Sequence, residues 1–456
     1  MPTTDPAETL LTRKSLQLSL SAPRCPPHGT AHRSILVGED PSGHPFVDND
    51  HEQANSGYNR HSGLRERLSH LLQRSHFDIP LHRRIPHPHL ATGLEVSDQM
   101  TRLLGAILPL SWQNHFRDSG GFRNTMDTLV SWSIPVGAVT NPSAAAEMLR
   151  LTRKRKNFSY GDHEMQCIDM FLPECPEAQI SGLIFFAHGG AWGSGKPSFY
   201  RLVATPFLKM NLAVAIVGYR TYPIGDLNVQ VGDLELAALE LSKRYPKLCG
   251  AQRTRRSIGT CVMGHSSGAH IGLVMLAQRA QRLLRLQEAK LQNPGENATV
   301  NGGPSMPVDS FVGISGPYDI SHHFDYEAAR GVEEISPMKA ACGYSREQFR
   351  HNSPALRLVH FLASFKECDN LALNNFLPRM LLIHGIEDDT VPFTSTGEAA
   401  RLMRACGITK CDEIYLPESG HDTIIHVMLG GRARDAILDW LGHTKQERHP
   451  PLFSKL

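Results

Sequence analysis

The stretch Gly264-His265-Ser266-Ser267-Gly268-Ala269-His270 constrains this chain more than any other. It stands between a short apolar run, residues 257–263, that reads as a strand, and a helical pattern that opens at Ala269. A Gly-x-Ser-x-Gly in that setting predicts a sharp strand-to-helix turn. The two glycines remove β-carbons for which the turn has no room, and the Ser266 hydroxyl is left at its tip as a candidate nucleophile. The pentapeptide alone also occurs by chance in loops, so the rest of the chain must supply a base, an acid and an oxyanion hole.

The flanking pattern supplies a scaffold. Residues 182–187 form a continuous apolar run, the signature of a strand buried on both faces of a parallel sheet. Further strands are read at 165–171, 213–217, 310–314, 380–383 and 412–416. Between them lie helical patterns at 199–210, at Leu234, Ala237, Ala238 and Leu241, at 269–286 and 395–406, with a closing helix to Leu441. Strands alternating with helices predict an α/β domain over 159–445 built on a mostly parallel, doubly wound sheet. Residues 320–375 lack that alternation and carry several aromatics, which makes them the candidate for a small cap insertion.

Two segments precede this domain. Residues 1–90 are polar and rich in Pro, Ser, His and Arg, with no sustained apolar period, and read as a disordered extension. Over 91–158 the apolar positions Met100, Leu103, Leu104, Ile107 and Leu108, and again Ala144, Ala145, Met148 and Leu149, recur at helical spacing. Those apolar faces can pack on the core, cover its entrance, or lie on a membrane surface beside the basic run Arg153-Lys154-Arg155-Lys156. Packing with a solvated basic helix end is the preferred reading.

Composition narrows the function classes. Lys plus Arg number 47 against 45 Asp plus Glu, and a formal net charge of +2 gives no electrostatic case for nucleic acid as a partner. The nine cysteines are scattered without a Cys-x-x-Cys pair, so neither a zinc knuckle nor a disulfide framework is suggested. No apolar run approaches the roughly 20 residues of a membrane helix, and the first residues, with Asp5 and Glu8, do not make a secretory signal. A cytoplasmic protein is expected, with peripheral membrane contact left open by the amphipathic segment. Nothing in the sequence specifies the oligomeric state.

A serine hydroxyl is a weak nucleophile near neutral pH. It needs an imidazole to take its proton and a carboxylate to hold that imidazole in the right tautomer, both on loops at the carboxyl ends of later strands. Asp388 lies in the loop after 380–383 and His421 in the loop after 412–416, and the order Ser, Asp, His is that of an α/β-hydrolase. Asp388 competes locally with Glu387, Asp389 and Asp422, and an Asp in a tight turn commonly makes an Asx-type hydrogen bond. His426, the rival base, falls inside an apolar run. His384 starts a loop at a strand end and reads as a scaffold residue. The backbone amides of Gly189 and Gly190, in His188-Gly189-Gly190-Ala191-Trp192-Gly193, and of Ser267 are candidates for the oxyanion hole, because glycines let the backbone approach a developing negative charge closely. Trp192 and Tyr219 are candidate walls of the substrate pocket. No metal cluster competes, since the adjacent His322-His323 cannot face one ion from regular structure. Hydrolysis of this kind requires no cofactor.

Taken together, His188-Gly189-Gly190-Ala191-Trp192, Tyr219-Arg220, the elbow and His384-Gly385-x-x-Asp388-x-x-Val391-Pro392 resemble the α/β-hydrolase carboxylesterases that include isoprenylcysteine methylesterases and kynurenine formamidases. The opening Tyr160-Gly161-Asp162-His163, with Asp169 and Pro173, is similar to the first strands of that group. The resemblance covers about residues 160–440. Ser315-Gly316-Pro317-Tyr318-Asp319, His323-Phe324, Arg330-Gly331 and Ser353-Pro354 look most like the methylesterase branch. It implies an α/β-hydrolase fold, with Ser266 as nucleophile, Asp388 as acid partner and His421 as base, acting on a small-molecule or lipid-modified ester such as a prenylcysteine methyl ester. The alternatives are an aryl formamide hydrolase and a non-catalytic ligand-binding module on the same fold.

Overall fold

The computed structural model describes residues 34–35, 88–249, 258–292, 306–364 and 371–443. The extension expected over 1–90 lies outside these apart from residues 34–35 and 88–90.

Strand β4 (Gly182–Ala187) shows how the core is made. Leu183, Phe185 and Ala187 point to one face of the sheet and Ile184 and Phe186 to the other, and all five are fully buried. This is the pleat of a strand covered on both sides. The first face packs against the helices Leu227–Arg244, Ser267–Gln292, Pro354–Ser364 and Thr394–Ala405, through residues such as Leu234, Val274, Leu358 and Met403. The second packs against Pro142–Lys154, Ala204–Leu208, Thr423–Leu429 and Arg432–His443, through Leu151, Phe207, Ile425 and Ile437.

The remaining strands are β1 (Ser34–Ile35), β2 (Lys156–Ser159), β3 (Cys167–Phe171), β5 (Leu212–Val217), β6 (Gly259–His265), β7 (Ser310–Ile314), β8 (Arg379–Gly385) and β9 (Cys411–Leu416). Their spatial order is β1-β9-β8-β7-β6-β4-β5-β3-β2. The ladders from β5 through β4, β6, β7 and β8 to β9 are parallel, and the two-residue β1 adds parallel to β9. The pairs β2 with β3 and β3 with β5 are antiparallel. After β4 the chain steps outward to β5 and then returns past β4 to form β6. That reversal makes β4 and β6 the topological switch point, and it is beyond the carboxyl ends of such strands that doubly wound sheets bind their ligands. The register pairs Ala187 with Gly264, so the His188 loop and the Ser266 turn leave the sheet side by side.

Two elements differ from their expected form. The helix expected over 199–210 is a 3₁₀ run, Pro197–Val203, followed by the short helix Ala204–Leu208. Pro206 has no amide to donate to the preceding turn, so one continuous helix cannot keep its ladder there. The basic run 153–156 spans a helix end and the first residue of β2, whose partner is Met170 on β3.

Between β7 and β8 the described part of 320–375 is helical: Ile320–Arg330, Met338–Cys342, Arg346–His351, Pro354–Ser364 and Leu371–Phe376. Ahead of the sheet, Pro88–Ile107, Leu110–Asp118 and Gly121–Thr140 form a helical layer. Among the described residues, no helix is long and apolar enough to cross a membrane.

Candidate active site

The turn after β6 is strained where its function would require it. Ser266 adopts φ 53°, a left-handed conformation unfavourable for a residue with a β-carbon. It is held there by its amide, which donates to Ile314 O at 2.8 Å, and by its carbonyl, which accepts from the Ala269 amide at 3.0 Å. The flanking glycines are dictated by contact rather than by dihedral angle. A β-carbon on Gly264 would lie 2.5 Å from Ala269 N, and one on Gly268 would lie 2.2 Å from His188 O and 2.3 Å from Ala187 O. The helix that begins at Ser267 therefore packs directly on the end of β4.

Ser266, His421 and Asp388 come together from three separate loops. The Ser266 Oγ hydroxyl lies 3.0 Å from His421 Nε2, and His421 Nδ1 lies 2.9 Å from Asp388 Oδ2. With Nδ1–H donating to the carboxylate, Nε2 is left to accept the serine proton. Asp388 is buried, while its neighbours Glu387 and Asp389 are exposed. Its Oδ1 accepts from the amides of Thr390 at 3.0 Å and Val391 at 2.8 Å, and His384 Nε2 stands 3.2 Å from Oδ2. Burial by itself would raise the Asp388 pKa. The imidazoles of His421 and His384 outweigh it and hold the group well below the usual carboxylate range. Burial likewise lowers His421, but the Asp388 carboxylate outweighs it, and the imidazole stands above its ordinary value. Asp422 accepts from the Gly420 amide at 3.1 Å, within its own turn, and His426 is buried in the Thr423–Leu429 helix.

Gly189 and Gly190 lie in the loop that leaves β4 beside the elbow, and Ser267 is the residue after the turn. Gly190 has φ 139° and its carbonyl accepts from the amides of Gly193 at 3.0 Å and Ser194 at 2.8 Å, so the loop folds tightly on itself. Trp192 and Tyr219 are each 1% exposed. Trp192 Nε1 donates to His270 Nδ1 at 3.1 Å, and Tyr219 OH donates to His188 O at 2.6 Å with its ring stacked on His188 at 4.3 Å. Tyr219 thus holds the first residue of the glycine loop, and Trp192, within that loop, is fixed to the helix that follows the elbow.

His265 is a residue that sequence reasoning passes over, because the Gly-x-Ser-x-Gly pattern asks nothing of its second position. Its Nε2 lies 3.1 Å from the His421 carbonyl oxygen and its Nδ1 lies 3.2 Å from Tyr200 OH. Burial pushes its pKa down to about 3, so at neutral pH it is an uncharged support for the His421 loop. No group of three or more potential metal ligands occurs among the described residues.

This sheet, with the Ser266 turn at its switch point and an Asp–His–Ser contact chain across its carboxyl ends, is an α/β-hydrolase fold. Residues 168–402 match the BD-FAE family model, and the chain belongs to that family. Among its relatives, an isoprenylcysteine alpha-carbonyl methylesterase of Arabidopsis thaliana is 22% identical over 307 residues, covering 65% of this chain and 65% of that protein. A kynurenine formamidase of Danio rerio is 25% identical over 127 residues, 28% of this chain and 40% of that one. The chain spans less than two-thirds of the length of these curated relatives. A solved structure of esterase B from Lactobacillus rhamnosis aligns with a TM-score of 0.46 at 16% identity, covering 68% of this chain and 93% of that one.

Proposed function

We propose that the chain is a serine hydrolase of carboxylic esters. The observation that carries this reading is the contact chain from Ser266 Oγ to His421 Nε2, 3.0 Å, and from His421 Nδ1 to Asp388, 2.9 Å. In this reading His421 takes the Ser266 proton as the oxygen attacks the ester carbonyl, and Asp388 stabilises the imidazolium that forms. The amides of Gly189, Gly190 and Ser267 receive the developing oxyanion. His421 then protonates the departing alcohol, and water attacks the acyl-enzyme by the same route to regenerate Ser266.

The methylesterase names among the relatives support a methyl ester of a lipid-modified cysteine as the substrate, approached without nucleic acid and, in this reading, from a membrane surface or from solution. The shorter likeness to kynurenine formamidases supports a second reading, hydrolysis of an aryl formamide by the same residues. Turnover of a prenylcysteine methyl ester, a short aryl ester and N-formylkynurenine separates the two. Ser266→Ala is expected to lose at least about a thousandfold in turnover and all labelling by a fluorophosphonate probe. Near-native ester hydrolysis by that variant would overturn the proposal.

A further inference from the structure

The helical layer of residues 88–140 lies outside the segment that carries the family likeness, yet it reaches both loops of the site. On one side, Asp127 Oδ1 accepts from the Gly195 amide at 2.8 Å. Gly195 closes the glycine loop, and a β-carbon there would lie 2.3 Å from Gly189 O and 2.7 Å from His188 Nδ1. Gly195 is therefore packed directly on the backbone of Gly189. On the other side, Arg102 bridges Asp98 in its own helix and Asp389 in the acid loop, at 2.9 Å to each. Arg330, from the helical insertion, pairs with the same Asp98 and donates to Thr390 O at 3.3 Å, while Tyr326 OH donates to Asp389 O at 2.8 Å. Asp389 and Thr390 belong to the turn whose amides hold the Asp388 carboxylate.

We propose that this layer braces the active site, with Asp127 a positioning residue for the glycine loop and Arg102 a positioning residue for the loop of Asp388. The inference rests on the serine-hydrolase reading above. Neither residue touches the reacting atoms. Each ties an outer helix to a loop whose backbone must keep its place, and small displacements of such loops are costly to catalysis. The Arg102–Asp389 pair, whose carboxylate is 73% exposed, contributes little to stability, so its loss is read in loop geometry rather than in unfolding.

The test is steady-state kinetics of the full chain carrying Asp127→Leu or Arg102→Gln. Each is expected to lower kcat about tenfold with KM within about twofold, and to weaken inhibition by an aryl trifluoromethyl ketone, which forms an oxyanion on Ser266, in step with kcat. Asp127→Asn keeps an oxygen that accepts from Gly195 and is expected to recover most of the loss. A kcat within about twofold of wild type in both variants, or a loss confined to KM, overturns the brace. If Asp127→Leu does not fold, Arg102→Gln decides, and a wild-type kcat in that variant counts against the brace. Ser266→Ala measured in parallel separates the two failures: if it retains turnover the hydrolase reading falls, whereas if it is inactive and the brace variants are silent only the brace falls.

Discussion

At the scale of single residues, the proposed chemistry depends on keeping a buried carboxylate and a part-exposed imidazole in opposite states. Asp388 is held ionised, and His421 must be neutral at Nε2 to accept a proton. Because His421 stands above the ordinary imidazole value, kcat/KM is expected to rise with pH through one ionisation displaced above about 6.5, measured as a pH–rate profile of the free enzyme. The linked stability has the opposite sense. A raised imidazole contributes stability that is complete below its unfolded value and lost as pH rises through the folded one. The depressed Asp388 contributes stability present above the ordinary carboxylate range and lost as pH falls. Urea titrations of wild type and His421→Ala across pH 5 to 9 are expected to converge towards high pH. Asp388→Asn is expected to cost roughly 10⁴-fold in kcat while the fold persists, since an amide can turn its NH₂ towards Nδ1 and reverse the tautomer. That Ser266, Asp388 and His421 would meet was legible in the sequence because each sits in a loop at the carboxyl end of a strand. His265 and Asp127 were not, since each acts through a backbone group far away in the chain.

At the scale of elements, the elbow is a contact between a helix and a strand end. Gly268→Ala would place a methyl group against two backbone oxygens, His188 O and Ala187 O, neither of which can rotate away. It is expected to cost about 1–3 kcal/mol by denaturant unfolding and also to lower kcat, because the helix that must move begins with Ser267. Element type was readable wherever a segment is buried on two faces, as in β4 to β8, since continuous apolar runs permit little else. The exceptions have local or distant causes. Pro206 divides the helix expected over 199–210, and β2 exists through its pairing with β3, which four residues beginning in a basic run do not announce.

At the scale of the molecule, the pre-core segment is fastened to the sheet by a buried charge. Asp169 on β3, 2% exposed, pairs with Arg201 at 2.7 Å and Arg155 at 3.3 Å and accepts from Asn157 at 2.9 Å. Asp169→Ala leaves the Arg201 guanidinium, 14% exposed, without its carboxylate and is expected to destabilise the chain by about 3–5 kcal/mol in urea unfolding. The sequence by itself determined the hydrolase core, through the order of apolar strands and the residue types at their carboxyl ends, because burial and turn sterics act locally and leave a periodic trace. Tertiary structure alone decided the support of that core: that Tyr219 holds the His188 carbonyl and Trp192 reaches His270, that His265 bonds the His421 carbonyl, and that Asp127 and Arg102 reach in from outside the family segment. A hydrogen bond between residues 68 apart, as between Asp127 and Gly195, has no periodicity to read and exists only once the chain has brought its partners together.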